Sequence, residues 1–212
     1  MNAVDVNTAV DVTLIGALAA VWLTAGLLAD GLAAASTAHS MRRRAGLLTV
    51  LAGAGAALFV AVPVATALLP GASSAPVAAL LPAVPAVVVL TAGLRKLSWV
   101  RRGAGAFATA PQAPVPPALR AAAAHPLIAA PLQATGLAAI VALPLAAGLL
   151  TPSADEVPAT TGIPGVAGLA ITVVAVLVTV IGIRAAIRHS RLAPLVLAPL
   201  DRVRQRARAT TH

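Results

Sequence analysis

Residues Val12–Ala35 read VTLIGALAAVWLTAGLLADGLAAA, and Ser36–Arg44 follow at once as STAHSMRRR. The first run is long enough to cross a bilayer, which takes about 20 mainly apolar residues. It carries a single charge, Asp30. The second is a polar break that ends in three consecutive arginines, Arg42, Arg43 and Arg44. An apolar run closed by a short polar break is the unit from which the rest of the chain can be read.

The unit recurs. Further apolar runs cover Ala45–Leu69, Val77–Leu94, Pro126–Leu150 and Gly165–Ile187. They are too long and too uniform for strands, and the alternating ten-residue segments of an outer-membrane barrel are absent. The expected fold is therefore an all-α integral membrane protein, one bundle of five transmembrane helices within residues 1–190. Pro82 and Pro85 interrupt the third run, which predicts a kinked or tilted crossing there. A re-entrant hairpin is the alternative.

Composition points the same way. Of 212 residues, 59% are hydrophobic and 10% charged, whereas a soluble domain has about a quarter charged. The absence of cysteine excludes disulfides and thiolate metal sites. Arginine replaces lysine everywhere except Lys96, and about a quarter of the chain is alanine. Both are signs of GC-rich codons, so a bacterial plasma membrane is the expected setting.

The charges predict an orientation. All 15 basic residues fall in the first break (Arg42–Arg44), the third (Arg95–Arg120) and from Arg184 onward. Asp5, Asp11, Asp155 and Glu156 fall on the other side. Basic loops stay in the cytoplasm, which places the N-terminus outside and the C-terminus inside. The net charge of +9 then follows topology and suits anionic headgroups, not nucleic acid. In residues 191–212, Leu192, Leu195, Val196, Leu200 and Val203 recur at helical spacing beside Arg202, Arg204, Arg206 and Arg208. This basic amphipathic cytoplasmic tail is expected to lie in the headgroup plane.

Within the spans, Asp30 stands out as the carboxylate of an apolar run. It shares a small-residue face with Ala19, Gly26, Ala33 and Thr37, so it should point inward. It lies roughly 12 Å inside the cytoplasmic boundary at 1.5 Å per residue. Gln133 sits at matching depth in the fourth span, and Thr91 and Arg184 lie nearer the same surface. Intramembrane ionisable residues are functional candidates, so these four form a candidate polar cluster, with Gln133 the expected partner of Asp30. The competing readings are a lock on helix order, a proton or cation relay, or simple contact with water.

The fifth span offers a packing face: Gly168, Thr172, Ala175, Thr179, Gly182 and Ala186 recur at gaps of three and four. Small residues let membrane helices approach closely, either within this bundle or against a second copy or another subunit. His39, His125 and His189 all lie at cytoplasmic helix ends and are the weak candidates for a metal or haem. They lack the helical i, i+4 pairing such sites use, so no metal site and no cofactor is expected. Trp99 should anchor at the interface, and Trp22 should pack inside or meet lipid.

No phosphate-binding glycine loop, dinucleotide fingerprint or nucleophile elbow appears. The function expected is non-enzymatic: an accessory or scaffolding membrane subunit acting through helix packing. The alternatives are a small proton- or cation-coupled transporter using Asp30 and a membrane electron carrier using the histidines.

Overall fold

The computed structural model describes residues 3–69, 73–149 and 172–191. They form helices α1 (Ala3–Asp30), α2 (Ala38–Ala67), α3 (Ala75–Val88), α4 (Leu94–Phe107), α5 (Pro117–Ala123) and α6 (Pro126–Ala146). A final helix, α7, covers Thr172–Arg191. A π-helical turn, Val89–Gly93, joins α3 to α4 without a break. Five helical stretches are long and apolar enough to cross a membrane, and the described residues contain no β-strand beyond one isolated bridge, Thr37 to Pro114.

The first helix stops at Asp30, short of the end of its apolar run at Ala35. Thr37 then starts α2 with a capping box: its hydroxyl accepts from the Ser40 N–H, and the Ser40 hydroxyl accepts from the Thr37 N–H. Each satisfies a donor that a helix start leaves open. The guanidinium of Arg44 donates to the carbonyl of Gly31 at 2.6 Å, which closes the turn. The Pro-rich segment before α5 lies against this turn, since Ala38 N–H donates to the Ala113 carbonyl.

The third run is one continuous helical stretch, Ala75–Phe107, long and apolar enough to cross a membrane, so the hairpin alternative does not hold. The helix also runs well past Leu94. Its continuation, α4, buries Leu97, Val100 and Ala104, a helical spacing that holds its inner face on the bundle while Arg95, Lys96, Arg101 and Arg102 remain exposed. Pro131 of α6 has no N–H to give the Leu127 carbonyl. Gly93, in the π turn, packs over that carbonyl: a Cβ there would lie 3.1 Å from the oxygen.

The tightest packing lies between α1 and α6, and it depends on two glycines. A Cβ on Gly26 would lie 2.9 Å from Gln133 Cγ and 3.2 Å from its backbone nitrogen. A Cβ on Gly136 would lie 2.8 Å from the backbone nitrogen of Leu23. Each helix thus uses a glycine to admit the other's main chain. Trp22 is fully buried and lies against Gly55 of α2, where a Cβ would come within 2.5 Å of the indole. Phe59 packs obliquely on the same ring at 6.3 Å.

On the outward faces, Thr13, Thr24, Thr91 and Thr179 each donate their hydroxyl to the carbonyl four residues earlier. A helix surface in hydrocarbon must satisfy its polar groups internally, and these threonines do so.

One end of the molecule is acidic and polar in a way the apolar run did not suggest. Asp11 lies inside α1, not before it, and is 2% exposed. Asp30 is therefore not the lone carboxylate of the first helix. Asp11 Oδ1 accepts from the Ser73 hydroxyl at 2.8 Å, and Oδ2 from the Ser74 and Ala75 N–H groups at 2.9 and 3.3 Å. Ser74, the residue before α3, makes no capping bond with its own side chain, so Asp11 supplies the cap from a neighbouring helix. The Ser74 hydroxyl lies 3.1 Å from both Asp11 Oδ2 and the Ala146 carbonyl, which brings the end of α6 into the same knot.

Candidate functional site

At the basic end, Asp30 terminates α1 beside the last turns of α7. Its Oδ1 accepts from Arg188 Nη1 at 2.7 Å, with the two side chains about a third exposed (30% and 35%). The partner of Asp30 among the described residues is thus Arg188, not Gln133. Gln133 is near by nonetheless. It lines, with Asp30, Arg184, Arg188 and His125, one small cavity of about 20 Å³, which is about the size of a single water. Its stem is held over Gly26. Thr91 is elsewhere: it faces outward, and its hydroxyl is spent on Val87.

The face of α7 turned to the bundle is Val174, Leu177, Ile181, Ala185 and Arg188, all half-buried. This is a helical stripe, but a different one from the small-residue stripe. Ala175, Thr179 and Ala186 are exposed, and a Cβ on Gly182 would meet nothing within 4 Å; Gly168 lies outside the described residues. No residue of α7 is buried. Its apolar contacts with the other helices are therefore modest, and the Asp30–Arg188 pair ties it to α1.

The three histidines separate. His125 and His189 face each other at 5.3 Å between ring centres. His39 lines a different cleft, with Arg42, Arg43, Arg101 and Arg102. His125 Nδ1 accepts from the Leu127 N–H at 3.2 Å and so caps α6. Among the described residues no three His, Asp or Glu side chains converge as a metal site would need.

Chemically, an aspartate that already accepts a short hydrogen bond from a guanidinium is neutralised in place. Arginine stays protonated at any ordinary pH, so the carboxylate has a fixed counter-ion. The arrangement can hold two helices in register, and the adjacent guanidinium disfavours a second cation at the same carboxylate. A double-mutant cycle with Asp30→Asn and Arg188→Gln should accordingly return a coupling of about 1 kcal/mol, read as stability in detergent. Strictly additive losses would mean that the pair does not hold α7.

Sequence reasoning singled out Asp30 as a residue turned toward a neighbouring helix and missed both Arg188 and Asp11; its depth was reckoned at helical rise, whereas α1 ends at Asp30 itself. For Arg188 a signal existed: it stands one helical turn beyond Arg184. For Asp11 the signal was Ser73-Ser74-Ala75-Pro76, a helix start whose buried N–H groups need an acceptor from outside. Compared with protein-family models, with curated proteins and with solved structures, the chain has no match.

Proposed function

We propose that this is a non-enzymatic accessory or scaffolding subunit of a bacterial plasma membrane, which acts by offering a helix face to a partner. Its basic end lies in the cytoplasm, with the N-terminus outside, in keeping with the retention of basic loops on that side. The observation that carries the reading is the outward turn of α7. Thr179 and Ala186 of its small-residue face are exposed, a Cβ on Gly182 would meet no atom of this chain within 4 Å, and of its branched residues only Val174, Leu177 and Ile181 are half-buried against the bundle. Close-packed small residues are what membrane helices use to associate, and a second copy or another subunit would find them available here. The Asp30–Arg188 pair supports a structural use of the carboxylate over a proton or cation relay.

The test follows from the open space at Gly182. Gly182→Leu should change the monomer's thermal stability little, because a Cβ there meets no atom of its own chain within 4 Å and the residue borders an open apolar cleft beside α3 and α6. It should abolish association, seen as loss of cross-linking through a cysteine introduced at Ala186. The natural chain has no cysteine, so any cross-link is assignable. Val180→Leu should preserve the cross-link. A Gly182→Leu protein that cross-links as well as the parent would sink the proposal.

A further inference from the structure

Between α4 and the start of α6 the structure has a cleft of about 960 Å³. Arg95, Lys96, Trp99, Arg102, His125 and His189 line it, and no acidic residue does. From these residues we infer that the cleft is a binding site for the phosphate headgroup of an anionic phospholipid. This inference does not depend on the scaffolding reading.

Three features specify the ligand. The charge is the first. Arg95, Lys96 and Arg102 lie on one exposed flank of α4 with no carboxylate between them, and a guanidinium fork together with an ammonium is a standard pairing for phosphate oxygens. The second is the neutral polar wall. His125 accepts from the Leu127 N–H through Nδ1, so a neutral imidazole there carries its proton on Nε2 as a donor. The third is the amphipathic floor. Ala92, Val100 and Leu127 line the same cleft, and the Trp99 indole is 52% exposed beside them. Indoles favour the headgroup level, and Lys96 and Arg102 flank this one on the helix that leaves the apolar layer.

The cleft is far larger than a bare phosphate requires and continues onto apolar side chains, which fits a headgroup with its glycerol better than a free ion. The cleft at His39 is different. It is lined by His39, Arg42, Arg43, Arg101, Arg102, Gly46 and Gly105 and has neither an aliphatic residue larger than glycine nor an indole in its lining.

Trp99 makes the site measurable. The chain has two tryptophans, and Trp22 is fully buried, so a quencher in the lipid reports mainly on Trp99. The full chain would be reconstituted in phosphatidylcholine vesicles doped with brominated phosphatidylglycerol or, at the same mole fraction, brominated phosphatidylcholine. The expected result is stronger quenching by the anionic lipid, lost in Trp99→Phe. Arg95→Gln and Lys96→Gln should each weaken the preference about fivefold; both side chains are exposed, so the fold should stand. Arg42→Gln with Arg43→Gln removes two charges at the neighbouring cleft and should preserve the preference. Equal quenching by the two lipids overturns the inference, as does equal loss in the Arg42/Arg43 variant, which would signify diffuse charge. Relief of quenching by inorganic phosphate, but not by chloride at matched ionic strength, would mean that the site takes a soluble anion and would also overturn it.

Discussion

Gly136→Leu should prevent the bundle from closing, and even Gly136→Ala should cost stability. Two effects of the alanine substitution compete. Alanine is the better helix former by about 0.5–1 kcal/mol. Against this, its methyl would sit 2.8 Å from the backbone nitrogen of Leu23. No rotamer change relieves a clash with main chain, so α1 and α6 must move apart along their whole contact. Overpacking of this kind costs about 1–3 kcal/mol, which exceeds the gain in propensity. Gly53 supplies the control, because a Cβ there meets nothing within 4 Å. Gly53→Ala should be neutral or slightly stabilising, and thermal unfolding in detergent compares the two. Equal tolerance at both positions would show that the α1–α6 crossing is not close-packed.

The second large effect concerns Asp11, where insertion and folding should respond in opposite directions. On insertion scales aspartate is unfavourable, most of all at a helix centre, while leucine is favourable, so Asp11→Leu, near one end of its span, should enter the membrane more readily. In the folded protein the same change removes the acceptor of the Ser73 hydroxyl and of the Ser74 and Ala75 N–H groups. Hydrogen bonds to a charged group are worth about 1.5–3 kcal/mol, and buried donors left without partners carry their own penalty. The expected result is higher membrane yield with a folded state less stable by several kcal/mol, on the scale of those terms. Asp11→Asn, which keeps one acceptor oxygen, should fall between. A leucine variant as stable as the parent would remove Asp11 from the account of how α3 begins.

The number and order of the long apolar helices were legible because long apolar runs have few other uses. Their ends were less so. Arg95 and Lys96 mark where an apolar layer stops, but a helix does not stop at a charge, and Leu97, Val100 and Ala104 carry α4 onward on its buried side. The hydrophobic content of that stretch is low; its spacing was the usable signal. The face of Asp30 could be read from its small neighbours, whereas Arg188 is remote in sequence, and only the packing of α7 brings it to α1. The stripe on α7 shows a different limit. Periodicity reveals that a helix has a small face, and the exposure of Thr179 and Ala186 shows that such a face need not be the one turned to its own chain.

Asp11 and Asp30 sit on the same helix, roughly 28 Å apart at 1.5 Å per residue. Each is fastened to a different element: one to the start of α3, the other to the end of α7. The hydrocarbon layer of a bilayer is about 30 Å deep, close to the spacing of the two fastenings, which would make them a built-in gauge. A protein gauged in this way has little freedom to meet a thicker or thinner bilayer by sliding its helices past one another. Mismatch must be met by whole-body tilt or by deformation of the lipid, each at fractions of a kcal/mol per Å. Its stability should therefore peak sharply with acyl-chain length.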